Sequence, residues 1–208
     1  MGGVFRNVTA PAKIAMVNNK LGNPSLKFNQ GSSYEVYDMV DVTSTIGTQQ
    51  TIRFFENVNA KAWPLTNIQQ NQLQVGEALA IEYIAFTRVA KKKPATPTDP
   101  EEWCTQQALV NVSGLSLSQF SFLLDNSRII KNNSLTRTNS IFNPKGDTGT
   151  NNLFFPDTDL VIPPQISFTA ELTVPINCDA LNPDTEVAVY YGCHIFGSAA
   201  ILNLKSNV

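Results

Sequence analysis

From Ile166 to Val174 the chain alternates without a break: Ile166, Phe168, Ala170, Leu172 and Val174 are apolar, and Ser167, Thr169, Glu171 and Thr173 between them are polar. Successive side chains of an extended strand point to opposite sides, so as a β-strand this segment buries one face and wets the other. A helix would scatter the same apolar residues around its circumference. The pattern is not isolated. Short runs rich in β-branched and aromatic residues, bounded by Asn, Gly, Pro and Ser, recur from Tyr34 onward, while amphipathic helix periodicity is scarce. The sequence therefore predicts an all-β fold.

Tyr34–Val42 and Thr51–Phe55 read as two early strands. Ala78–Thr87 and Val187–Phe196 carry apolar residues at both parities, which predicts strands covered on both sides, by a second sheet and by a loop or neighbouring subunit. Leu115 and Leu117 share one parity and Phe120, Phe122 and Leu124 the other, so a β-bulge is expected near Ser118 and Gln119. Arg128–Lys131 and Leu160–Ile162 complete a set of about eight strands. The connections are very unequal, with long stretches at 57–75, 90–107 and 135–152, which favours Greek-key winding over a meander. The expected architecture is a jelly-roll β-sandwich or barrel over residues 34–208, preceded by an arm over residues 1–33. A single barrel fits 208 residues best. Adding short candidates such as Lys13–Val17 and Leu26–Phe28 leaves a compact double barrel as the alternative, at about 13 residues per strand and loop.

Charged residues make up only 15% of the chain, and Asn occurs 21 times. Ordinary soluble domains carry roughly 25% charge. A surface of amides and hydroxyls lacks the charge repulsion that keeps monomers apart, which is a first sign of assembly. The net charge of −2 excludes a strong overall attraction to nucleic acid. Its distribution is uneven: residues 1–33 hold Arg6, Lys13, Lys20 and Lys27 and no acid, giving +4 there and −6 over the remaining 175. Such an arm is expected to meet an anionic partner, or, on the blander reading, to run as a solvated extension along the barrel edge. Pro11 and Pro24 prevent one continuous helix from aligning the four cations. No run is apolar enough for an export signal or a membrane span, which predicts a protein soluble as made.

His194 is the sole histidine, so no two-histidine metal site, facial triad or cupin pocket can be built within one chain. Cys104, Cys178 and Cys193 match no zinc or redox spacing and read as reduced, buried thiols. Cys193 and His194 are neighbours on a predicted strand and point apart, so they cannot act as nucleophile and base, and His194 reads as structural. Asp147-Thr-Gly-Thr150 and Asp157-Thr-Asp159 lack the donor spacing of a calcium loop. Phosphate-binding glycine signatures and a nucleophile elbow are absent, and no carboxylate pair stands out. The sequence names no catalytic residue, metal ligand or cofactor. Two candidate contact groups remain. Lys91, Lys92 and Lys93, ahead of Pro94, Pro97 and Pro100, form either a phosphate- or lipid-binding tract or a solvated, stiff loop. Trp63 and Trp103 are suited to stacking on sugars, but aromatic residues among such strands also serve as core or interface.

Several segments resemble a known family. Arg53-Phe-Phe-Glu-Asn57, Pro64-Leu-Thr-Asn-Ile68 and Asn71-Gln-Leu-Gln-Val-Gly-Glu-Ala-Leu-Ala-Ile-Glu-Tyr-Ile-Ala-Phe86 are similar to the stretch before and through an early barrel strand in jelly-roll capsid proteins of small phages. Leu160–Pro175, followed by the hydrophobic strand ending in Gly192, is similar to their late strands. Within that group the chain resembles, over Tyr34–Gly197, the capsid proteins of lipid-containing, single-stranded DNA phages of the Flavobacterium-infecting type. The likeness lies in hydrophobic spacing and carries over no catalytic residue. It implies a virion protein made in the bacterial cytoplasm, grouped as homotrimers of upright barrels on a membrane-lined shell. Its implied partners are copies of itself, other capsid proteins and, through the arm, lipid or genome, with no small-molecule substrate. Many members are double barrels, for which this chain is short, and that leaves open a single-barrel coat or penton protein. Two other functions stay open: a phage spike or carbohydrate-binding sandwich using loops around Trp63 and Trp103, and a β-sandwich hydrolase for which no catalytic group can be named.

Overall fold

The computed structural model describes residues 30–92, 96, 102–103, 107–109, 112, 114–135, 153–176, 179 and 186–201. Its strands, in chain order, are β1 (Gln30–Asp41), β2 (Gln50–Phe54), β3 (Glu77–Lys92), β4 (Glu102–Trp103), β5 (Gln107–Ala108), β6 (Gln119–Leu124), β7 (Ser127–Ser134), β8 (Leu153–Phe154), β9 (Leu160–Ile162), β10 (Phe168–Val174) and β11 (Glu186–Ile201). One sheet runs β1-β11-β3, with β4, β5, β8 and β9 spaced along the far edge of β3, and the other runs β2-β10-β6-β7. Both sheets are antiparallel. With β8 and β9 taken as two halves of one strand, this order is a pair of Greek keys wound into a jelly roll. The described residues build that single barrel, and they contain no second pair of sheets.

The alternation seen in the sequence sets the faces of β10. Phe168, Ala170, Leu172 and Val174 enter the core, while Thr169 and Thr173 face out. In β3 a bulge does more than the sequence suggests. Phe196 pairs with Tyr83 and Gly197 with Ile81, so Glu82 is an extra residue, and the inward set switches from Leu79 and Ile81 to Ile84, Phe86 and Ala90. Part of the two-sided apolar character of this strand is therefore one inward stripe that changes parity. The bulge expected near Ser118 is instead a turn. Leu115–Leu117 form a 3-10 turn closed by the Ser118 N–H donating to the Leu115 carbonyl at 2.9 Å, with Leu117 72% exposed. A turn shifts parity by one residue just as a bulge does. The irregularity lies across the hairpin in β7, where Asn132 takes a left-handed φ of 47° and its N–H donates to Ser121 Oγ at 3.1 Å. Asp125 and Asn126 make the β6–β7 reversal, both with left-handed φ, as a two-residue hairpin loop that follows strand twist requires.

Between the sheets the core is knitted by phenylalanines. Phe86 of the long sheet lies 5.8 Å from Phe54 and 5.2 Å from Phe120 of the other, and Phe120 in turn meets Phe154 of the long sheet edge-on at 4.8 Å. Contacts of this kind are worth more than their buried area alone.

Candidate functional site

The two outer faces of the sandwich differ in chemistry. On the β2-β10-β6-β7 sheet hydroxyls and ions predominate on the outer face, beside an exposed Ile129: Thr51 Oγ1 lies 3.1 Å from Thr173 Oγ1, and Glu171 is gripped by Arg128 at 2.7 Å and Arg53 at 3.3 Å. Glu171 is buried although it sits on the wet face, because the flanking guanidinium groups cover it. The long sheet carries aromatic rings instead. Tyr37 of β1 stacks on His194 of β11 at 5.5 Å, Tyr83 of β3 stacks on Phe196 of β11 at 5.0 Å and meets Phe155 edge-on at 6.1 Å. At the other end Trp103 packs on Tyr190 at 5.2 Å.

A polar chain crosses the middle of this aromatic face. Glu35 Oε1 lies 2.8 Å from His194 Nδ1, and His194 Nε2 lies 3.0 Å from Thr87 Oγ1, linking β1, β11 and β3. Gly192 makes room for it, since a Cβ there would come within 2.6 Å of Thr87 Oγ1 and 3.1 Å of His194 Nε2. The hydrogen bond from His194 holds the Glu35 carboxyl below its ordinary value, outweighing partial burial, and the imidazole charge adds to it. Burial, followed by the charge of Glu35, raises the hydroxyls of Tyr37 and Tyr83. Carboxylate, imidazole and hydroxyl stand in the order of a nucleophilic triad. Yet they lie flat on a sheet whose neighbouring N–H groups are engaged in the β1-β11-β3 ladder, so among the described residues the sheet backbone aims no donor pair at a developing oxyanion. The chain is a strut across three strands.

Of the residues singled out in the sequence, Arg6, Lys13, Lys20, Lys27 and Lys93 lie outside the described residues, as do Cys104, Cys178 and Asp147–Thr150. Lys91 Nζ sits 5.1 Å from the centre of the Trp103 ring, and Lys92 Nζ lies 3.8 Å from Glu102 Oε2. Trp63 is 81% exposed in the β2–β3 connection, which then passes along the outer edge of β1, where the Met39 N–H donates to the Leu65 carbonyl. Trp103 pairs beside Lys91 on the far edge of β3. The two tryptophans thus flank opposite edges of one sheet and do not form a common platform. Cys193 points into the core, where burial pushes its thiol well up, and His194 points out, as their adjacency on a strand dictates. Among the described residues no group of side chains could hold a metal ion.

Sequence reasoning missed one polar site inside the barrel. Asp38 occupies an inward position of β1 and is fully buried. Both of its oxygens accept from Lys61 Nζ at 2.8 Å, and Oδ2 also accepts the Phe55 N–H at 2.7 Å. Burial raises its pKa against the opposing pull of Lys61 and of the backbone donors. The available signal was parity: Tyr34, Val36 and Val40 share a face with Asp38, so an acid stands in an apolar register. A second inward ion pair, Arg88 Nε to Asp179 Oδ2 at 2.8 Å, also receives the Tyr191 hydroxyl at 2.9 Å.

Fold and surface together define an all-β jelly-roll protein with one ionic and one aromatic outer face. Comparison with protein-family models, curated proteins and solved structures finds no match to the chain.

Proposed function

We propose that the chain is a coat subunit of an icosahedral bacteriophage shell, of the kind found in small lipid-containing, single-stranded DNA phages, and that it works as a homotrimer in the virion. The observation that carries the reading is a jelly roll whose long sheet presents aromatic rings outward while its partner sheet presents ions. Jelly rolls serve capsids, lectins and enzymes alike, so the fold alone does not choose among them. Aromatic residues are enriched at the buried centre of subunit interfaces, and the two carboxylates on this face are engaged within it, Glu35 by His194 and Glu82 by the Ser198 hydroxyl. The low overall charge and the resemblance to phage capsid proteins point the same way. In this reading the basic arm, through Arg6, Lys13, Lys20 and Lys27, meets the anionic membrane or genome by salt-sensitive, sequence-independent attraction.

Mass photometry of the purified chain tests the proposal. Trimers or shell fragments are expected, and Phe155→Asp, which places a charge on the aromatic face, should shift them toward monomer while far-UV circular dichroism stays that of the folded barrel. Deleting residues 1–20 should weaken shell assembly or membrane contact with the barrel still folded. A clean monomer at high concentration would overturn the coat reading, and unchanged assembly of the deletion would remove the arm from it.

A further inference from the structure

Beside the Asp38–Lys61 pair the β2–β3 connection borders an open hollow of about 840 Å³, lined by residues 55–59, Lys61 and residues 69–72. Its polar lining is dominated by amides: Asn57, Asn59, Gln69, Gln70, Asn71 and Gln72. Gln72 Nε2 donates to Gln70 Oε1 at 2.9 Å, whereas the side chains of Asn57, Asn59, Gln69 and Asn71 make no hydrogen bond among the described residues. The charged groups at the wall are already engaged. Lys61 Nζ holds both Asp38 oxygens, and Glu56 Oε1 accepts from Arg53 Nη1 at 3.2 Å. The walls are also pinned. Phe55 and Asn57 keep left-handed φ values of 67° and 53°, uncommon for an aromatic residue, with the Phe55 N–H tied to Asp38. On the other wall the Asn71 carbonyl accepts the Phe168 N–H at 2.9 Å.

We infer that this hollow binds a neutral oligosaccharide, with Asn59 and Gln69 supplying hydrogen bonds from its two segments. An amide sets a donor and an acceptor side by side, which matches adjacent sugar hydroxyls that both give and receive. Neutralised charges at the wall leave little to attract an anion or a cation, and convergent polar groups in a concave site are what fix a small ligand. The inference rests on the hollow alone and does not depend on the coat reading. Its test is saturation-transfer NMR and titration of the full chain with neutral glucose-, galactose-, mannose- and N-acetylhexosamine-based oligosaccharides, with a heparin-derived tetrasaccharide as the anionic counterpart. At least one neutral oligosaccharide should bind, Asn59→Ala and Gln69→Ala should each weaken it about three- to tenfold, and Trp103→Ala, far from the hollow, should leave it unchanged. Thermal melting checks that each variant folds; where an alanine does not, the near-isosteric Asn59→Asp and Gln69→Glu exchange donor for charge and should weaken binding likewise. Binding of none of the neutral sugars, tighter binding of the heparin fragment, or wild-type affinity in folded hollow variants would overturn the assignment.

Discussion

Asp38 shows what a single residue can demand of a fold. A carboxylate at full burial is tolerated only with compensation, and here Lys61 reaches in from a loop 23 residues away to touch both oxygens. Removing one partner of such a pair strands the other charge, which typically costs about 3–5 kcal/mol. Lys61→Met should therefore destabilise the barrel by about that much in urea denaturation, and Asp38→Asn added to Lys61→Met should recover most of the loss, since no buried charge then remains. If the double variant is no more stable than Lys61→Met, the pair does not act through charge compensation. At this scale the sequence was half legible. Parity carried the signal for Asp38, an acid in an apolar register, which the reading of the strand passed over, and nothing local to Lys61 distinguishes it from a solvated loop lysine, because the contact that defines it spans the chain. Trp63 and Trp103 were legible as candidates, whereas their places on opposite edges follow from the order of strands in the sheet.

Among the elements, β3 and β11 hold the barrel through a long, bulged pairing, and Gly197 sits where the register slips. A Cβ on Gly197 would lie 1.9 Å from the Ala80 carbonyl oxygen, a backbone atom that cannot swing aside. Gly197→Ala should lower stability by about 3 kcal/mol, at the upper end of overpacking losses, measured by chemical denaturation. Gly192→Ala meets only side chains, Thr87 and His194, and should cost less. The Glu35–His194–Thr87 strut adds a pH dependence of definite sign. Because the Glu35 pKa is lowered in the fold, its contribution is present above the ordinary glutamate value of 4.5 and is lost as pH falls through the lowered folded value. Glu35→Gln should thus lower the melting temperature at neutral pH and bring variant and wild type together as pH falls below about 4.5, so that the acid limb flattens; an unaltered limb would mean that another carboxyl sets it. Strand positions were read well because period-two alternation is a direct image of the pleat. The turn at Leu115–Leu117 was read as a bulge because both devices displace parity by one, and only the Ser118 to Leu115 hydrogen bond tells them apart.

For the whole molecule, unequal connections announced Greek-key winding, and the jelly roll follows. The contrast between the outer faces was not legible, since an apolar residue on a covered strand looks the same whether it faces the core or another subunit. That contrast makes the proposed assembly separable by salt. Contacts through aromatic faces should survive 1 M NaCl, where the screening length is about 3 Å, while attraction of the arm to lipid or nucleic acid should be lost; analytical ultracentrifugation with and without anionic vesicles, at low and high salt, distinguishes the two. The pairing of β1 with β11, from Gln30 opposite Ile201 to Asp41 opposite Tyr190, also has a consequence for biosynthesis. At about 5–20 residues per second, roughly ten to thirty seconds separate the emergence of the two strands from the ribosome. During that interval β1 is an open edge able to recruit any extended chain nearby. A second nascent copy that met β1 before its own β11 emerged would turn a closed barrel into a strand-exchanged dimer.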